Sequence, residues 1–155
     1  MIFGKRLTLL FLVLQFILAV QSCRQAADDP KEASEILTVA PKWLIEEITV
    51  NDAITFKNGK LIKQFGGIDF ERYMEMVRFK TNGDFEGYFI GDTKPMLLRW
   101  KLNKADITVV AVDNKGGAWT ILPEDVTKDS FIMKTQSTAY DYPRMTKIAL
   151  KFKSK

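Results

Sequence analysis

Histidine is absent from this chain of 155 residues, and cysteine occurs once, at position 23. Without imidazole, histidine-ligated zinc, copper and iron sites and histidine-based catalytic triads are excluded. One cysteine cannot close a disulfide within the chain. Long apolar runs are scarce as well. The only one, Leu7 to Val20 ("LTLLFLVLQFILAV"), is apolar apart from Thr8 and Gln15 and carries no charge across its fourteen positions. A membrane-spanning helix needs about twenty such residues. An excess of one charge sign is missing too. The formal net charge of +4 includes Lys5 and Arg6, ahead of the apolar run; without them 21 basic residues face 19 acidic ones. Such a balance makes no case for a nucleic-acid partner. The 46% of hydrophobic residues suffices for one core, and the length suits one domain.

What is present begins with that N-terminal stretch. A short basic start followed by an apolar core of about seven to fifteen residues is the pattern of a secretion signal. "VQSC" (Val20, Gln21, Ser22, Cys23) follows directly. This stretch resembles the lipobox of bacterial lipoproteins. The resemblance implies that residues 1–22 are a cleaved signal peptide. It also implies that the Cys23 thiol carries a diacylglycerol and that the new amino terminus takes a further acyl chain such as palmitate. A thiol consumed in this way accounts for an unpaired cysteine outside the cytoplasm, where an odd cysteine otherwise needs explaining. One acyl chain anchors marginally and two or more anchor stably, since each buried methylene contributes about 0.8 kcal/mol. Arg24, rather than aspartate, after the cysteine resembles the sorting pattern of outer-membrane lipoproteins, and Asp28 and Asp29 resemble the acidic export tags of surface-displayed ones. The expected location is therefore the cell envelope, lipid-anchored at the outer membrane, on its periplasmic face or the cell surface.

Residues 23–41 read as the lipidated cysteine plus a flexible tether. As coil, the stretch after Cys23 would span about 25 Å, with a brief helix permitted at Lys31 to Leu37. Residues 42–155 form the folded domain. There the hydrophobic period is two, which predicts strands. In "MLLRWKL", Met96, Leu98, Trp100 and Leu102 oppose Arg99 and Lys101; in "MTKIALKFK", Ile148, Leu150 and Phe152 oppose Lys147, Lys151 and Lys153. Asn58-Gly59 and Asn82-Gly83 are type I′ hairpin signals, and "DNKGG" reads as a slightly longer loop. Expected strands lie near 43–50, 53–57, 60–65, 73–80, 84–90, 96–102, 106–112, 117–122, 130–136 and 145–153. "FERYMEMV" also fits helical spacing, but the run into Asn82-Gly83 favours a strand. The fold class expected is all-β, an antiparallel up-and-down meander of about 8–10 strands. Barrel closure removes its free edges; a sandwich is the competing solution.

Trp43 in a first strand, the "RFKTNGDFEGYF" hairpin and "GGAWTI" followed by "DSFIMK" resemble the lipocalin-like domains of small bacterial lipoproteins. The resemblance implies a small barrel holding one lipophilic ligand. An eight-stranded barrel has just enough interior for packed side chains or for one small ligand. Large residues on the expected inward faces, Tyr73, Phe79, Phe85, Phe89, Met96, Trp100 and Trp119, are the candidate ligand wall, although aromatics in a barrel this small more often simply fill the core. "STAYDYPRM" reads as a loop whose Tyr140, Tyr142 and Arg144 are a candidate contact for a protein or glycan partner. The lysines of the last strand read as edge protection. Catalysis, a cofactor and a metal are not expected: Glu46, Glu47, Asp69, Glu71 and Glu75 show no spacing that singles out an acid–base pair, and Asp113 to Gly116 lacks the ligand pattern of a calcium loop.

Overall fold

Alternation of apolar and charged residues builds ten strands: β1 (Trp43–Val50), β2 (Ala53–Lys57), β3 (Lys60–Leu61), β4 (Met74–Phe79), β5 (Asp84–Phe89), β6 (Met96–Leu102), β7 (Ile107–Ala111), β8 (Trp119–Ile121), β9 (Ser130–Asp141) and β10 (Arg144–Ser154). The structure is a computed structural model and describes residues 25–65, 72–113 and 117–155. The signal, the lipobox and Cys23 lie outside the described residues. So do Phe70, Asp69, Glu71 and the Asn114–Gly116 part of the "DNKGG" loop.

Neighbouring strands pair antiparallel from β4 to β10, and β10 returns to pair along the whole of β1, from Trp43↔Ser154 to Val50↔Ile148. The sheet is thereby closed into an eight-stranded barrel with no free edge along that seam. Strands β2 and β3 are extra to the eight. On its other side β1 is shared: Trp43 and Leu44 pair with β4, whereas Glu47 to Val50 pair with β2. The β2–β3 hairpin thus continues the wall where β4 leaves it, and the Phe56 ring meets Tyr73 at 4.6 Å across that junction.

Turn chemistry follows the residues, with one correction. Asn58 and Gly59 both take positive φ (50° and 80°), as a type I′ turn requires. Asn51 and Asp52 do the same (49° and 64°), a hairpin turn that the sequence reading passed over. At Asn82-Gly83 only the glycine is left-handed (φ 88°). Gly83 N–H donates to Lys80 O, and the Asn82 side chain accepts from Asp84 N–H. This is a type I turn ending in a left-handed glycine, the longer hairpin solution, rather than the expected type I′.

The segment expected as flexible tether is instead folded from Ala27 onward. Helix α1 spans Pro30–Val39. Asp29 caps it by accepting from Glu32 N–H at 2.8 Å, Glu32 reaches back to Asp28 N–H at 2.7 Å, and Pro30 occupies the first helical position. That is a variant of the capping box, with a proline where its missing N–H costs nothing. Ala33 and Leu37 are buried, with Ile36 and Ala40 beside them, a helical stripe facing the barrel. Ala27 is buried as well and donates its N–H to Val126 O.

Helix α1 lies over one end of the barrel, where the core is densest. Trp43 is fully buried; its indole N–H donates to Leu37 O at 3.0 Å, tying helix to barrel. Around it Phe131 stands edge-on to Trp43 (5.1 Å) and to Phe79 (5.4 Å), Phe79 edge-on to Phe85 (5.0 Å), and Phe152 stacks on Phe131 (5.0 Å). Ring contacts of this geometry add to the burial of their large apolar areas.

Candidate functional site

The two ends of the barrel differ. Paired residues at the packed end include Trp43, Ser154, Phe79 and Phe85; the opposite end is reached through Val50↔Ile148, Met74↔Phe89 and Leu98↔Ala111. Among the described residues no helix covers this end, and a cavity of about 440 Å³ enters the barrel. Its inner wall is aliphatic, with Ile48, Leu98, Val109, Ile148 and Leu150. Nearer the mouth stand Tyr73, Met74, Phe89, Met96, Trp119 and Tyr140. A depression of about 460 Å³ on the outer wall is lined mainly by polar residues such as Thr49, Thr120, Lys134 and Gln136 and lacks such an apolar enclosure.

Of the seven side chains expected to form the ligand wall, the structure brings Tyr73, Phe89, Met96 and Trp119 together around this cavity. Phe79 and Phe85 point inward at the other end, where both are buried in the aromatic core. Trp100 lies beside Phe79 with its indole N–H on Lys80 O. Period-two reasoning gives the inward face of a strand but not the height along the barrel, which depends on register. The aliphatic lining, Ile48, Leu98, Val109, Ile148 and Leu150, was not singled out. In the sequence it is indistinguishable from ordinary core.

A glycine sets part of the cavity's shape. Gly87 on β5 lies under the end of the Met74 side chain, and a Cβ there would come within 2.8 Å of Sδ and 2.6 Å of Cε. Those atoms end a flexible chain that can swing aside, and Met74 lines the cavity. Gly87→Ala is therefore expected to push Met74 into the site. Uptake of an apolar dye by the cavity should fall severalfold while the melting temperature stays nearly unchanged, because the displaced thioether ends a flexible chain. Parallel dye-binding and thermal-unfolding measurements check this.

Polar groups at the site are few. The Arg72 guanidinium stands 5.3 Å over the Phe89 ring and is held loosely by Asp92 at 3.5 Å. Burial pushes the Tyr73 phenol above its ordinary range, with the charge of Glu75 adding to the effect. Thr146 is buried on the inward face of β10, in series with Ile148 and Leu150, and its hydroxyl has no hydrogen-bond partner among the described residues. Arg72 is the only charged side chain among the lining residues described. Among the described residues no group of three or more cysteine or carboxylate side chains could hold a metal ion. Two of the carboxylates weighed above are held in ion pairs on the barrel wall. Glu46 pairs with Lys151 at 2.9 Å, which holds its carboxyl below the usual range, and Glu47 pairs with Lys57 at 2.9 Å.

The "STAYDYPRM" stretch is mostly strand rather than loop. Strand β9 runs on to Asp141 and β10 starts at Arg144, leaving Tyr142 and a cis Pro143 at the tip. The register slips between Arg144↔Asp141 and Thr146↔Ser137, so this end of the hairpin is irregular. Tyr140 turns back to the cavity, Tyr142 is 85% exposed and Arg144 is exposed. The three residues expected to act as one contact are thus divided between cavity mouth and hairpin tip.

No family model matches the chain, and neither a curated protein nor a solved structure matches it. Fold and site therefore define the class alone: a closed, eight-stranded, antiparallel up-and-down β-barrel, compatible with a lipocalin-like fold, packed at one end and open to an apolar cavity at the other.

Proposed function

We propose that the protein is a lipid-anchored lipoprotein of the cell envelope, targeted to the outer membrane, whose barrel carries a small lipophilic ligand in its open end. The observation that carries the ligand reading is the cavity of about 440 Å³ with an aliphatic interior and an aromatic mouth. Its size and lining are those of small-molecule sites. The anchoring reading rests on the basic start, the fourteen-residue apolar run and "VQSC". Metabolic labelling with a fatty acid should mark the wild type and not Cys23→Ser, and native mass spectrometry after gentle extraction should show an added lipophilic mass. An unlabelled wild type removes the anchor; an empty barrel under gentle conditions removes the cargo.

Arg72 gives the site a preference. A cation at an apolar mouth favours an amphiphile with an anionic head, its chain among Leu98, Val109 and Leu150. Because the guanidinium is exposed and partly met by Asp92, the gain is that of a surface pair, about fivefold in affinity. Arg72→Gln should weaken a long-chain carboxylate by about that factor and leave the alcohol of equal length unchanged. Isothermal titration of both compounds against both proteins decides.

A second reading, a non-enzymatic interaction module, is favoured by one observation. The hairpin tip presents Tyr142 and the half-exposed Met145 to solvent, residue types enriched in protein interfaces.

A further inference from the structure

The cavity and the anchored cysteine belong to opposite ends of the molecule. Ala27 is held against Val126 O, at the end that α1 covers and that the aromatic core fills. Only three residues, Arg24, Gln25 and Ala26, separate it from Cys23. Even fully extended, this stretch reaches about 14 Å. The mouth is much farther away. Strand β9 has 12 residues, about 40 Å of chain, or about 30 Å along the axis of a barrel whose strands tilt by about 40°. A leash of that length holds the packed end, not the mouth, against the bilayer that carries the acyl chains.

We propose that the anchored barrel stands on its own membrane by the packed end, with the ligand mouth turned away from that membrane. The inference rests on acylation of Cys23. The surface that then meets the headgroup layer lies at the end of the barrel that α1 covers. Beside the C-terminal end of α1 a groove of about 490 Å³ is lined by Ile36, Val39, Ala40 and Pro41, with Lys128 and Lys155 at its edge, and Val39 is 83% exposed. Charges there are mixed, since Glu35 also lines the groove. The short chain rather than charge therefore holds this end down. One consequence concerns loading: the ligand enters and leaves on the side facing away from the carrying bilayer, so it does not pass straight between that bilayer and the barrel.

The test uses acylated full-length protein recovered from membranes and reconstituted into phosphatidylethanolamine–phosphatidylglycerol vesicles that carry an energy-transfer acceptor on a lipid headgroup. A donor dye is placed at Lys155→Cys in one sample and at Tyr142→Cys in another; both positions are exposed. Quenching at Lys155→Cys should exceed that at Tyr142→Cys severalfold. Inserting a long glycine–serine segment between Gln25 and Ala26 should raise quenching at Tyr142→Cys toward the Lys155→Cys level. Equal quenching of the two sites without the insertion, or stronger quenching at the mouth, overturns the orientation while leaving the anchor intact. Protein that fails to float with the vesicles overturns the anchor, and the orientation with it.

Discussion

Trp43→Ala is expected to destabilise the protein by about 4 kcal/mol, the scale for removing a large aromatic from a packed core. Three losses fall together. The indole is fully buried and edge-on to Phe131, so its removal leaves a void beside the ring at the centre of the aromatic cluster. The Leu37 carbonyl loses the donor that joins α1 to the barrel. Trp43 is also one of the two residues by which β1 pairs with β4, so relaxation of the site strains a short seam. For a domain of this size each kcal/mol corresponds to about 3–5 °C, so the melting midpoint should fall by about 12–20 °C. Trp43→Phe keeps part of the volume and loses the hydrogen bond, and it should fall between. Urea titration and thermal unfolding, followed by far-ultraviolet circular dichroism, measure both variants. A midpoint change below that of Trp43→Phe would contradict the packing described.

Ala111→Phe is expected to abolish ligand uptake while leaving the fold intact. Ala111 sits opposite Leu98 in the β6–β7 register, and both line the cavity. A phenyl group there fills part of the cavity that the proposed ligand would occupy. Inserted side chains are costly in a filled core and much less so beside a void. Affinity for an anilinonaphthalene sulfonate dye should drop at least about tenfold, or about 1.4 kcal/mol. The midpoint of unfolding should move by less than about 1 kcal/mol. The same substitution separates the two readings of function, because a partner gripping the exposed Tyr142 tip would still bind. Unchanged dye affinity would mean that the dye sits elsewhere and that the cavity is not the site.

The strands were the most legible part of the chain. β1, β2 and β6 begin and end where alternation and turn residues place them, and β4 is a strand despite its helical spacing. Errors fell where a local signal had two readings. The acid, proline and charge content of "DDPKEASE" reads as solvated coil; the same letters hold an Asp29 cap, Pro30 and Glu32 in helix-start order. What makes them a helix is the barrel end that buries Ala33 and Leu37, since a helix of ten residues is marginal in isolation. Likewise the tyrosines and proline near residue 142 suggest a loop, yet pairing with β10 carries β9 to Asp141.

Period and turn chemistry act between neighbours in the chain, so the all-β class, the antiparallel order and the inward faces of the strands could be read from the residues alone. The composition also excluded histidine chemistry outright. Pairing across the sheet settled that eight strands close while the β2–β3 hairpin extends the wall beside β4, and that Phe79 and Phe85 fill one end while Phe89 and Trp119 border a cavity at the other. Height in the barrel is a property of register between strands distant in sequence. A residue's own neighbours carry no record of it.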